Sequence, residues 1–245
     1  MKKNSTPLFL LIIAGFLWQI VSWLEMVDAF VLPPPSAVLN AFAADRALLF
    51  YHSRYTITNA LSGLALGTIF GVITAVSMER FKFLEKSLYP ILILSQTIPY
   101  IAIAPLLVLW FGHGAAPKII LVTLLCFFPI AVGLFDGLKS IPKEYLYELE
   151  ILGGSYLRGL VFAKLPLAAP GFFSGKKIAL TYCFVGAVIS EWIGGVNGLG
   201  VYMTRVRRSF EFDKMFAAIF LIVAISLIAM EILKFIERRC LKNVI

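Results

Sequence analysis

Among the stretches free of Asp, Glu, Lys and Arg, six read as candidate spans: Asn4–Leu24, Tyr55–Met78, Ser87–Pro117, Ile119–Phe135, Ile178–Ser190 and Met215–Met230. A hydrocarbon core of ~30 Å takes about 20 helical residues to cross. Backbone inside it must satisfy its own hydrogen bonds, which long apolar helices do. The runs therefore predict six transmembrane helices, near 7–27, 56–78, 86–111, 116–138, 173–193 and 215–236. The fifth is the least regular, with Lys176-Lys177 at its start and Glu191 near its end. Lys2-Lys3 precede the first run, but the run is longer than the apolar region of a signal peptide and no small-x-small cleavage site follows, so it reads as a retained helix. The fold class is all-α and integral to the membrane, a single transmembrane domain over 1–245.

Only 15% of the residues are charged and 60% are hydrophobic, against roughly 25% charged in an average soluble domain. So little charge cannot dress the surface of a soluble enzyme. The apolar content equally disfavours a disordered chain. The net charge of +8 is mostly topology. Six spans put both termini on one side. If that side is cytoplasmic, fifteen of the 22 Lys/Arg lie inside, and Arg46, Arg54, Lys118, Arg205, Arg207, Arg208 and Lys214 lie outside. The positive-inside rule favours this orientation. No soluble domain offers the basic stripe of a nucleic-acid footprint, so nucleic acid is not an expected partner.

Cys126, Cys183 and Cys240 have no CxxC spacing and no nearby histidine, so no metal or redox site is expected. His52 and His113 are isolated and read as loop residues outside. Glu25, Asp28, Glu191 and Glu231 are the ionisable groups in or beside the spans, and they fall at opposite faces rather than in one cluster. A membrane enzyme would need such a cluster. The nearest approach to a phosphate-binding loop is Gly171 to Lys177, which is one residue short and lacks the Ser/Thr after lysine. Work driven by ATP would need another subunit.

One loop is long enough to act inside the cell, Asp136 to Lys177. Pro142 suits the first turn of a helix, Gly153-Gly154 a stop and turn, and Ser155 the cap of a second helix. Pro166 and Pro170 are expected to end that second helix. The apolar spacing of Leu146, Leu149, Leu152, Leu157, Leu160 and Val161 makes a docking surface, either for the bilayer interface or for a partner protein. In the second run Gly63, Gly67 and Gly71 form a small-xxx-small face for tight helix packing. In the third, Ser95-Gln96-Thr97-Ile98-Pro99-Tyr100, flanked by Pro90 and Pro105, frees backbone carbonyls and bends the helix. Gln96, Thr97 and Tyr100 either line a pathway or bond one another.

At Tyr145–Pro166 the sequence resembles the permease subunits of binding-protein-dependent ABC importers. Their loop carries Glu-Ala-Ala, then a glycine, then Leu-Pro. Gly153, Ser155 and Leu165-Pro166 stand at that spacing, while Tyr147-Glu148-Leu149 stands where Glu-Ala-Ala is expected. Leu32-Pro33-Pro34-Pro35-Ser36, Pro105 to Gly112 and Phe128-Pro129-Ile130 resemble the nitrate, sulfonate and taurine permeases. Ser190-Glu191-Trp192-Ile193-Gly194-Gly195, Gly198-Leu199-Gly200 and Phe212 to Ile219 are most similar to permeases for the pyrimidine precursor of thiamine.

The resemblance implies a type I importer in a bacterial inner membrane, with both termini cytoplasmic. Two permease copies, as a homodimer, would form the pathway. Separate ATPase subunits would bind the ATP, leaving this chain with no cofactor of its own and no catalysis. Tyr147, Glu148, Leu149, Gly153, Ser155, Leu165 and Pro166 would form the coupling loop that enters the ATPase. A periplasmic or extracellular solute-binding protein would deliver the solute. Gln96, Thr97, Tyr100, Tyr182, Glu191 and Trp192 are the pathway candidates, and they suit a flat neutral heterocycle of the hydroxymethylpyrimidine type. Alternative cargoes are aliphatic sulfonates, taurine or nitrate, and a different class altogether would be a stand-alone secondary transporter. Arg205, Arg207 and Arg208 break the charge trend. They either pair with Glu211 and Asp213 of their own loop or meet acidic residues of the binding protein.

Overall fold

A computed structural model of the chain describes residues 6–24, 26–28, 30–142, 144 and 155–242. These are helical, with no strand among the described residues. In chain order the helices are α1 (Thr6–Trp23), α2 (Pro35–Ala44), α3 (Arg46–Arg80), α4 (Lys82–Ser95), α5 (Tyr100–Phe111), α6 (Ala116–Lys139), α7 (Tyr156–Gly194), α8 (Leu199–Arg208) and α9 (Phe212–Leu241). Four of them, α3, α6, α7 and α9, are long and apolar enough to cross a membrane, and α4 with α5 passes the same measure only as a bent pair, a broken span or a re-entrant loop. Large apolar side chains stand on the outside, among them Phe16, Leu109, Leu227 and Phe235. Such a surface is stable only against lipid or further protein.

The third apolar run is not one helix. The chain bends by 101° between α4 and α5. Proline at 99 has no N–H to continue the ladder and keeps Ile98 out of the α region. The last carbonyls of α4 are instead taken up locally. Gln96 N, Thr97 N and Ile98 N donate three residues back, to Ile93, Leu94 and Ser95. Ser95 Oγ donates to Leu92 O at 2.8 Å and Thr97 Oγ1 to Leu94 O at 2.7 Å. The polar residues of this stretch therefore act first as a helix cap, the role an otherwise orphaned helix end requires in a bilayer.

Pro166 and Pro170 do not end a helix, contrary to the expectation from sequence. Both lie inside α7, which runs on to Gly194. Pro166 falls in the first turn of a new α segment, directly after a π turn over Leu160–Lys164. The wider turn accommodates the ring that would otherwise meet a carbonyl one turn back. Residues 156–177, expected to belong to the loop, are thus part of α7. Of the coupling-loop residues, Tyr147, Glu148, Leu149 and Gly153 lie outside the described residues.

The core is a three-helix stack of α3, α6 and α7. Its spacing is set by glycine. A Cβ on Gly63 would sit 2.5 Å from Val122, one on Gly67 2.9 Å from the Thr123 carbonyl, and one on Gly71 3.0 Å from Ile130. The face Gly63, Gly67 and Gly71 thus packs directly on α6. A second, tighter face joins α6 to α7. Gly171 lies against the carbonyl of Gly133, and Gly175 against that of Pro129. The failed phosphate-loop motif at 171–177 is thereby a packing surface. Close backbone approach replaces the hydrophobic drive that lipid cannot supply. Around this stack, α2, α8 and α9 bury Val38, Tyr202, Met203 and Ala218 against one another. α1 adds Trp18, stacked on Phe220 at 5.9 Å.

Candidate functional site

The α4–α5 elbow leaves a cavity of ≈ 370 Å³ against α6 and α7. Gln96, Pro99, Tyr100, Leu121, Leu125, Tyr182 and Ile189 are among its walls. Three of the pathway candidates, Gln96, Tyr100 and Tyr182, meet here. None of its lining residues is charged. A largely apolar space of this size with a few polar groups is the usual form of a small-molecule site. Two phenols and one carboxamide supply donors and acceptors, and the two aromatic rings supply stacking faces.

The other candidates lie elsewhere. Thr97 caps α4 and is exposed. Trp192 is exposed near the end of α7, beside a polar pocket of ≈ 420 Å³ that also includes His113, Arg205 and Arg208. Glu191 is 1% exposed and does not line the elbow cavity. Its Oε2 accepts from Thr56 Oγ1 and from the Gly200 N–H, both at 2.9 Å, and its Oε1 from Asn59 Nδ2 at 3.3 Å. Thr56 Oγ1 in turn accepts from Leu199 N at 2.8 Å. His52 Nδ1 accepts from Gly198 N at 3.1 Å. His52 is therefore not a loop residue. It lies on α3, 2% exposed, one turn before Thr56. His52, Thr56 and Asn59 stand at i, i+4 and i+7 on one face of α3. Together with Glu191 they clamp the α7–α8 loop. Gly198 has φ +129°, and a Cβ there would fall on the Glu191 carboxylate, so only glycine fits. The i, i+4, i+7 spacing of His52, Thr56 and Asn59 was the sequence signal for this clamp, obscured by the neighbouring Ser53, Arg54 and Thr58.

At the same end, Glu211 pairs with Lys214 at 2.6 Å, and Asp45 lies 3.7 Å from Lys214. The alternative in which Arg205, Arg207 or Arg208 pairs with Glu211 or Asp213 does not form among the described residues; Lys214, three residues on, takes Glu211 instead. At the opposite end, Lys164, Lys139 and Lys177 pair with Glu79, Glu85 and Glu237. Ser155 opens α7 with extended backbone. Its carbonyl accepts from Gly159 N at 3.0 Å, but its hydroxyl makes no capping bond. Leu165 and Pro166 lie within α7, past the π turn. Among the described residues no cluster of His, Cys, Asp and Glu could hold a metal ion. The thiols of Cys126 and Cys183 are buried between α6 and α7.

The family model described as "Binding-protein-dependent transport system inner membrane component" matches residues 67–242. The chain belongs to this family of ABC importer permeases. The matched span holds α6, α7, the elbow and the α7–α8 loop, while the clamp residues His52, Thr56 and Asn59 precede it. The permease is 38% identical to a "Probable ABC transporter permease protein" of Haemophilus influenzae, with 90% of each chain covered. It is 33% identical to the "Formylaminopyrimidine transport permease protein ThiX" of Halalkalibacterium halodurans, with 96% of this chain and 93% of the relative covered. Its fold matches that of the inward-facing MetNI methionine ABC transporter, with a TM-score of 0.65 at 18% identity, over 82% of this chain and 98% of the other. A permease of this family is a membrane-spanning subunit and not itself an enzyme. Its partners are an ATPase and a binding protein.

Proposed function

We propose that this permease carries a small, flat, uncharged heterocycle of the pyrimidine class through the elbow cavity. The observation that carries the reading is the cavity wall itself. Tyr100 and Tyr182 offer aromatic faces, Gln96 offers a carboxamide, and no lysine or arginine is among its residues. A sulfonate, taurine or nitrate pathway would favour fixed positive charge. The ThiX relative, named for a pyrimidine, supports the same class. The excess of Lys/Arg at the Glu79 end supports an orientation with that end, the loop before Ser155 and both termini in the cytoplasm of a bacterial inner membrane.

In this orientation the segment between Lys139 and Tyr156, with Tyr147, Glu148, Leu149 and Gly153, docks on the ATPase subunit, which binds the ATP. The permease needs no cofactor of its own. Two copies face each other as a homodimer. Arg205, Arg207 and Arg208, which form no ion pair among the described residues, face the binding protein and suit acidic residues on it.

Uptake into proteoliposomes tests the cargo. With ATPase and binding protein present, labelled formylaminopyrimidine or hydroxymethylpyrimidine enters in an ATP-dependent manner, and excess taurine does not compete. Tyr182→Ala, which removes one stacking face, lowers uptake at limiting solute about tenfold. Competition by taurine, or full uptake by the variant, would contradict the assignment.

A further inference from the structure

Where the described chain resumes after the loop, α7 is fastened to α3 by a single carboxylate. Tyr156 OH donates to Glu79 Oε2 at 2.5 Å, and Lys164 Nζ lies 2.6 Å from Glu79 Oε1. The Lys164 and Glu79 side chains are 19% and 16% exposed. The Arg80 guanidinium covers the Tyr156 ring at 4.5 Å. Both oxygens of Glu79 are thus taken by the same helix.

Tyr156 and Lys164 stand at i and i+8. On a regular α-helix they would diverge by about 80°. The π turn over Leu160–Lys164 inserts about one extra residue into the spiral. The pair then has the spacing of i and i+7, within about 20° of one face. The π turn is what lets one carboxylate hold both side chains. At the far end of the same two helices the arrangement is reversed, with Glu191 of α7 gripping Thr56 and Asn59 of α3. Between these two ties, α6 is locked by the glycine faces.

We propose that Glu79 is a positioning residue for coupling: through it, displacement of the docking loop is delivered to α3 as well as α7, so that α3, α6 and α7 move as one body against the α4–α5 elbow. This rests on the reading of the preceding loop as the ATPase docking segment. The charged bonds are short and part-buried, so they transmit displacement with little slack. Without them, the first turns of α7 follow the loop while α3 stays behind.

The test uses the permease reconstituted with its ATPase subunits, in a Cys240→Ser background, with spin labels on cysteines at Ile98 and Val185 across the cavity. In the parent, ATP shifts the inter-label distance distribution. In Glu79→Gln the shifted population, normalised to ATP hydrolysed, falls about fivefold or more, and the charge exchange Glu79→Lys with Lys164→Glu restores it. An unchanged shift in Glu79→Gln would overturn the proposal. So would failure of the exchange to restore the shift, which marks a merely structural bond. A parent complex that hydrolyses ATP with no shift at all would instead overturn the docking reading, and the tether with it.

Discussion

Glu191→Ala lowers the stability of the permease in detergent by about 3–4 kcal/mol, because three buried donors lose their acceptor at once. Those donors are Thr56 Oγ1, Asn59 Nδ2 and the Gly200 N–H. Glu191 is 1% exposed in the intact network, so its three donors are shielded from water by the bonds they make. The α7–α8 loop loses its bond at Gly200 but keeps those of Gly198 N to His52 Nδ1 and Leu199 N to Thr56 Oγ1. Glu191→Gln keeps one oxygen as acceptor and costs about half as much. A melting series of the two variants in micelles checks both the size and the order of the effect. An alanine variant that melts with the parent would show that the network contributes nothing to the fold. Uptake measured on the same variants separates a structural carboxylate from one on the solute path. Loss of uptake should track loss of folded protein, because Glu191 does not line the elbow cavity.

Gly175→Val and Gly171→Val each cost about 3 kcal/mol or more, the scale of an overpacked contact that no rotamer relieves. A Cβ at Gly175 would meet the carbonyl of Pro129, and one at Gly171 would stand 2.5 Å from the carbonyl of Gly133 and 2.9 Å from Cα of Gly137. These neighbours are backbone on a helix that is itself packed, so the only response is to separate α6 from α7. Gly15→Ala and Gly159→Ala are the controls. No atom of the described residues lies within 4 Å of a Cβ at either, and alanine there is neutral or stabilises the helix by up to ~1 kcal/mol. Yield and monodispersity on size exclusion report the comparison. Equal behaviour of all four variants would mean that glycine is not what sets the α6–α7 distance.

The apolar runs carried most of the architecture. A stretch such as Tyr55–Met78 admits few structures but a spanning helix, and α3 contains all of it. The break near Pro99 was equally legible, because proline removes a donor and a neighbouring α conformation. Its 101° angle was not, since a freed carbonyl says that a helix breaks and not which neighbour the next one packs on. The ends of helices were the weakest point. Charge at Arg46 and Arg54 hid ten residues of α3, and with them the place of His52. Pro166 and Pro170 read as stops because a π turn leaves no sequence signal comparable to a proline. The amphipathic α8 shows its buried face as Leu199, Tyr202, Met203 and Val206, a helical spacing that the flanking glycines and arginines obscured. Long-range pairing was least legible of all. Nothing in the chain order brings Glu79 to Lys164, or Glu191 to Asn59, until α3 and α7 are packed on α6. Of the pathway candidates, the aromatic pair Tyr100 and Tyr182 and the neighbouring Gln96 converge because the elbow brings α5 onto α7.

The central claim, that solute passes through the cavity between the elbow and α7, is met most directly by substrate protection at one cysteine. Val185 lines the cavity and is 52% exposed, whereas the native Cys126 and Cys183 are buried. In a Cys240→Ser background, Val185→Cys is treated with a bulky maleimide and ATP-dependent uptake of labelled pyrimidine is then measured in proteoliposomes. The reagent abolishes uptake, and prior exposure to excess unlabelled solute in the working transporter slows the labelling. Full uptake by a quantitatively labelled protein would contradict the claim.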